Sequence, residues 1–234
     1  GAQLQPSYAP ELNLRGVAVG GFVTNVEQAL FKINGGPAAG LVPSALPGIL
    51  RSTPTLAHAI TPYLTAKGKA MLAKSGRQCE IANVSQYPFF DVNNFLTIPL
   101  AQLVTPPAVR RAIHSLNFHA TAGIAPLFVY HAINDELIPV AGPDAIVPKY
   151  CQAGDSVTYT RDELSEHGAL AVTGAAAALS WLHARLTGAQ KPHGCTTTTV
   201  TTMALTPTAI AQEPELVTSI LSSLIGLPVG PAPL

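Results

Sequence analysis

Ala125-Pro-Leu-Phe-Val-Tyr-His131-Ala-Ile-Asn-Asp135-Glu-Leu-Ile-Pro139 decides how this chain folds. Its first half is a continuous apolar, β-rich run, the pattern of a strand covered on both faces. It passes directly into a turn containing Asn, Asp and Pro. Pro143 to Cys151 then reads as a short helix, with Pro143 at its first position and Pro148 as a kink or early stop. Ser156-Val-Thr-Tyr-Thr160 alternates and reads as a second strand, followed by a polar connection from Arg161 to Glu166. Gly168 to Leu186 is Ala-rich, with Leu179, Leu182 and Leu186 at helical spacing, and reads as one packed helix stopped by Gly188.

The order strand, loop with Asp, helix, strand, loop with His, helix places chemistry. In a parallel α/β sheet the loops at the carboxyl ends of the strands converge on one crevice. Asp135 follows the first strand and His167 the second; the separation, 167 − 135 = 32 residues, accommodates one helix and one strand. Both side chains therefore arrive at the same edge of the sheet. A carboxylate there holds an imidazole in the tautomer that accepts a proton and stabilises the imidazolium that forms. The α/β-hydrolases carry their triad in the chain order Ser, acid, His, and this pair matches the last two members. Taken singly, Asp135 also reads as a solvated turn residue and His167 as a helix-start residue.

No Gly-x-Ser-x-Gly occurs, and Ser44, Ser75, Ser156 and Ser165 do not lie on strand-to-helix elbows. Gly1 to Gln5 reads as the tail of a helix stopped by Pro6, followed by Leu14-Arg-Gly-Val-Ala-Val-Gly20, a buried parallel strand whose glycine end approaches other backbone closely. The expectation is an excised or processed segment, with the serine shortly before Gly1.

From Phe22 to about Phe118 the pattern is helical: Asn25 to Lys32, one or two helices from Thr55 to Ala73 broken near Pro62, and an amphipathic helix from Pro106 to Leu116. Gly35-Gly-Pro and Pro43 to Pro47 read as loops, and Tyr87 to Val92 as an aromatic turn. A helical block between two strands is how lids and caps are built. The expected organisation is 1–21 elbow-helix end and core strand, 22–118 helical cap, 119–190 core with the acid and histidine loops, and 191–234 a loop-like tail with a helix from Pro214 to Ile225.

Composition narrows the function classes. Lys+Arg and Asp+Glu are both 13, so no basic footprint for nucleic acid exists. Charged residues are only 11%, well under the usual quarter, which suits a chain with large apolar surfaces or apolar ligands. No apolar run reaches the roughly 18 residues that would span a bilayer. His58, His114, His119, His131, His183 and His193 lack metal-ligand spacing and no Cys-x-x-Cys exists, so neither metal nor cofactor is expected. Asn83-Val-Ser85 is an acceptor sequon, making Asn83 a glycosylation candidate, and the run Thr196 to Thr202 fits an exposed segment. Asp162, Glu163 and Glu166 read as a solvated face. Phe89, Phe90, Leu96 and Leu100 read equally as the wall of an acyl pocket or as the cap's own core.

Three long stretches resemble a known family. Leu4 to Gly21 is similar to the segment after the serine elbow of the fungal secretory lipases, the Candida antarctica lipase A type. Tyr130 to Pro139 resembles their acid loop, and Tyr159-Thr-Arg-Asp-Glu-Leu-Ser-Glu-His167 their histidine segment. The resemblance implies an α/β-hydrolase with an inserted helical cap, secretion, and hydrolysis of carboxylic esters such as acylglycerols. It carries Asp135 and His167 over as acid and base, and it leaves the nucleophile in an N-terminal part absent from this chain. The cysteines fit this frame. Cys151 and Cys195 enclose 44 residues (195 − 151) spanning the His loop, and a disulfide there stabilises by about 4 kcal/mol. Cys79 then pairs with a cysteine of the N-terminal part, or is a buried thiol. The partners implied are that segment, an ester or lipid substrate, and a lipid interface. Alternatives on the same scaffold are acyl transfer, peptide cleavage, or a non-catalytic lipid-binding module.

Overall fold

The computed structural model describes residues 1–188, 193–207, 209–211, 215, 218, 219, 222, 226 and 227. The chain divides into two units, Gly1–Phe22 with His119–Leu234, and Val23–Phe118.

The first unit is built on a parallel sheet in the order β1 (Val17–Gly20), β2 (Leu127–Ala132), β3 (Val157–Asp162), β4 (Cys195–Val200). Residues pair as Val17 with Leu127, Leu127 with Val157 and Val157 with Cys195. The quoted apolar run forms β2 because a central parallel strand is covered on both faces; all of it is buried except Tyr130. One face, with Leu127, Val129, Val157 and Tyr159, packs on Ile146, Val147 and Tyr150 of helix α9 (Ala141–Gln152). The opposite face, with Phe128 and Ala132, packs on Leu170 of α10 (His167–Thr173) and on Ala178 and Trp181 of α11 (Ala175–Leu186). The sheet is thus doubly covered, and the Asp135 and His167 loops both leave its carboxyl edge.

Several expectations change. β1 is only half-buried, because it lies at the edge of the sheet. Pro6 does not stop a helix; it sits in the first turn of α1 (Gln5–Tyr8), where its missing N–H is not needed. The tail after Lys191 is not all loop: Cys195–Val200 pairs with β3, its β-branched threonines suiting an exposed edge strand. Pro148 does not end α9; the helix continues to Gln152. Gly168 to Leu186 is two helices, divided at Gly174. A Cβ there would stand 2.5 Å from the Tyr130 ring, so the close approach requires glycine. Leu179 and Leu186 are exposed, and α11 instead buries Ala176 and Ala178, small residues that bring it close to the sheet. Of the helix expected from Pro214 to Ile225, both ends lie outside the described residues.

The second unit is helical. It comprises α2 (Val26–Ile33), α3 (Leu41–Ser52), α4 (Pro54–Ile60), α5 (Ala66–Ser75), α6 (Glu80–Gln86), α7 (Leu100–Leu103) and α8 (Pro107–His114). Side chains of Asn25 and Thr65 accept the N–H groups of Gln28 and Gly68, which starts α2 and α5. Pro43 to Pro47 is helix, not loop: Pro43 lies in the first turn of α3, and apolar packing of Val42, Ile49 and Leu50 carries the helix through Pro47. Phe90, Leu96 and Leu100 belong to this unit's own core, beside Val109 and Ile113 of α8, whereas Phe89 is exposed.

Candidate active site

β2 ends in Ala132, and the chain turns at once. The turn forms because Asp135 can serve as its own template. Its Oδ1 accepts the N–H of Leu137 at 2.8 Å and of Ile138 at 2.7 Å. Those two bonds fix the carboxylate and leave Oδ2 pointing onward. Burial raises the carboxyl's pKa, but the hydrogen bond from His167 and the two backbone N–H groups outweigh it and hold Asp135 below the ordinary carboxylate range.

His167 is the first residue of α10, after β3. Its backbone is held on both sides. Glu136 Oε2 accepts the His167 N–H at 2.9 Å, and Glu166 accepts the N–H groups of Gly168 and Ala169. The His167 Nδ1 lies 2.8 Å from Asp135 Oδ2, the carboxylate fully buried and the imidazole 32% exposed. A carboxylate only accepts, so Nδ1 carries the hydrogen and Nε2 is left as the acceptor. The bond to Asp135 raises the imidazole pKa, burial opposes it, and the charges of Asp135, Glu136 and Glu166 add to the rise. An imidazole one-third exposed, with an oriented Nδ1–H and an Nε2 that has no hydrogen-bond partner among the described residues, has the geometry to take and return a proton.

Gly21, after β1, closes the third side. Its φ is +55° and a Cβ there would stand 2.9 Å from His167 Cε1. The sequence predicts that this glycine end lies close to other backbone; the groups a Cβ would meet are side chains instead, the Tyr130 ring at Gly20 and the His167 imidazole at Gly21.

The other predicted positions fall as follows. Cys151 and Cys195 are bonded, with Cα atoms 5.9 Å apart, which ties the end of α9 to the start of β4. Cys79 is an exposed free thiol at the start of α6, not a buried one. Asn83 is a correction. It is fully buried in α6, and the Nδ2 that a glycan would occupy donates to the Ser75 carbonyl at 3.1 Å, so the sequon is no acceptor in this fold. Asp162 is a second correction: it is buried, not part of a solvated face, whereas Glu163 and Glu166 are exposed. Two site residues escaped the sequence reading. Glu136 carries no motif that marks it in the sequence. His131 lacks metal-ligand spacing, and its only signal is its place four residues before the acid.

A model of the secretory lipase family matches residues 1–194. The chain belongs to the secretory lipase family. Lipase A of Arthroderma benhamiae is 33% identical over 231 residues, covering 98% of this chain and 49% of that protein. A secreted triacylglycerol lipase of Malassezia globosa is 27% identical over 237 residues, covering 98% and 52%. The X-ray structure of Candida antarctica lipase A in its closed state superposes with a TM-score of 0.79 at 24% identity, covering all of this chain and 57% of that one. The chain thus has the α/β-hydrolase fold, and it spans about half the length of the curated relatives it matches.

Proposed function

We propose that the chain supplies the acid and the base of a secreted carboxylic ester hydrolase, a lipase or esterase, whose nucleophilic serine lies outside these 234 residues. The observation that carries this is the 2.8 Å contact between Asp135 and His167, each delivered from the carboxyl end of adjacent parallel strands. The absence of Gly-x-Ser-x-Gly from the sequence and its half-length match to lipases support a nucleophile elsewhere.

In the reaction His167 Nε2 takes the serine proton as the hydroxyl attacks the ester carbonyl. The tetrahedral intermediate collapses, and His167 returns the proton to the leaving alkoxide. Water repeats the sequence on the acyl-enzyme. Asp135 holds the ring and stabilises the imidazolium. The helical unit Val23–Phe118 is in this reading the inserted cap, and a lipid interface is the partner the reading implies. Cys79, exposed and unbonded, pairs with a cysteine of the serine-bearing segment.

The test is the intact mass and peptide map of native material, followed by nitrophenyl ester turnover. A segment containing Gly-x-Ser-x-Gly should accompany the chain, and the chain alone should turn over about a millionfold more slowly. Full turnover by the isolated chain would contradict the reading. Added alcohols separate hydrolysis from acyl transfer.

A further inference from the structure

Behind the acid lies a second imidazole that the hydrolytic reaction does not use. His131, near the end of β2, is fully buried. Its Nε2 stands 2.9 Å from the Ile138 carbonyl and 3.5 Å from Asp135 Oδ2. A carbonyl only accepts, so Nε2 carries the hydrogen. Ile138 is therefore gripped twice: its N–H donates to Asp135 Oδ1, and its carbonyl accepts from His131. Among the described residues the ring's other nitrogen has no hydrogen-bond partner, so the imidazole spends its polar capacity on the turn of the acid. A donor buried on the strand fixes a turn more firmly than one exposed on the loop, because water does not compete for it.

We propose that His131 is a positioning residue: from inside the sheet it closes the turn 135–138 and so sets the direction in which Asp135 presents Oδ2 to His167. The proposal rests on the reading of Asp135 and His167 as acid and base. It has a second half, the charge. Oδ2 is flanked by two imidazoles, bonded to His167 at 2.8 Å and 3.5 Å from His131. Around His131 stand Asp135 on the following loop, His167 at the start of α10, Asp144 on α9, and Arg161 opposite it in the β2–β3 register. Burial lowers the pKa of His131 and outweighs the bond to Ile138 and the nearby carboxylates. It therefore stays a neutral donor while His167 titrates, and leaves the charge of Asp135 to His167.

The experiment uses the complete protein with its serine-bearing segment and compares His131→Leu with His131→Gln. Leu keeps bulk and removes the donor; Gln restores a donor at about the reach of Nε2. With a nitrophenyl ester, Leu should lower kcat about tenfold with KM within about twofold, and Gln should recover to within about threefold. The low-field Nδ1–H proton of His167 should persist in wild type and Gln and broaden in Leu. In the wild type, nitrogen NMR should find His131 as the Nε2–H tautomer, unprotonated across the titration of His167. A folded Leu variant with wild-type kcat and an unchanged His167 proton overturns the proposal, as does a Gln variant as impaired as Leu. So does a His131 that carries its proton on Nδ1 or is protonated together with His167. Should Leu fail to fold, the Gln variant and the wild-type tautomer decide. Absence of any ester turnover in the wild type defeats the hydrolase reading instead, and the resonance measurements still judge the positioning.

Discussion

Asp135 and Asp162 hold the carboxyl ends of neighbouring strands in the same way. In each, Oδ1 accepts the N–H groups two and three residues on: Leu137 and Ile138 for Asp135, Leu164 and Ser165 for Asp162. The second oxygen separates their roles. In Asp135 it meets the His167 imidazole; in Asp162 it accepts the Met203 N–H at 2.6 Å and the Thr202 hydroxyl, tying the end of β3 to the turn after β4. One turn type thus serves both the site and the frame around it.

Asp162→Asn should destabilise the protein by about 2–3 kcal/mol, because one amide N–H must then face a buried backbone N–H. Urea unfolding checks this. The turn after β4 should lose hydrogen-exchange protection first.

Much of the site was readable because parallel topology sends successive loops to one edge. Asp135 and His167 meet for that reason, and no long-range contact had to be guessed. What was missed has local causes. The Thr-rich stretch of β4 lacks the apolar run of a buried strand because edge strands do not need one. Asp162 looks solvated because the partners of its second oxygen come from residues 202 and 203, 40 and 41 positions on. Leu179 and Leu186 mark a helical period, but the alanines pack on the sheet. Proline counted as a helix breaker fails in α3 and α9, where tertiary packing outweighs one lost bond.

Gly21→Ala should lower kcat about a hundredfold in the complete protein while leaving its circular dichroism unchanged. The methyl group would stand 2.9 Å from His167 Cε1 at a backbone φ of +55°, so either the ring or the strand end must move, and small misplacements at a reacting group are costly. Steady-state kinetics on a short-chain ester measures it.

The base acts only when neutral. Because the bond to Asp135 raises the pKa of His167, kcat/KM should rise with pH through a limb above the ordinary histidine value of 6.5. Glu136→Gln, which keeps the acceptor and removes a charge, should move that limb to lower pH. Stability follows the same pair. A raised histidine pKa stabilises the fold fully below about 6.5 and ceases to do so as pH rises through the folded value; a lowered Asp135 pKa stabilises above 3.8 and ceases as pH falls through its folded value. The stability gap between wild type and His167→Ala should therefore be widest between those two limits and narrow above them. Denaturant titrations at several pH values test it.

Cys195→Ser should cost about 4 kcal/mol, the chain-entropy value for a closed loop of this length. The loss should appear as faster hydrogen exchange along Cys195–Val200, the edge strand that the bond to α9 anchors, with the Asp135–His167 contact retained.

Ester turnover by the complete protein carrying His167→Ala is the most direct test of the whole account. If His167 is the base that Asp135 orients, kcat should fall by about a millionfold with the fold intact. Turnover within a few fold of wild type would contradict the account.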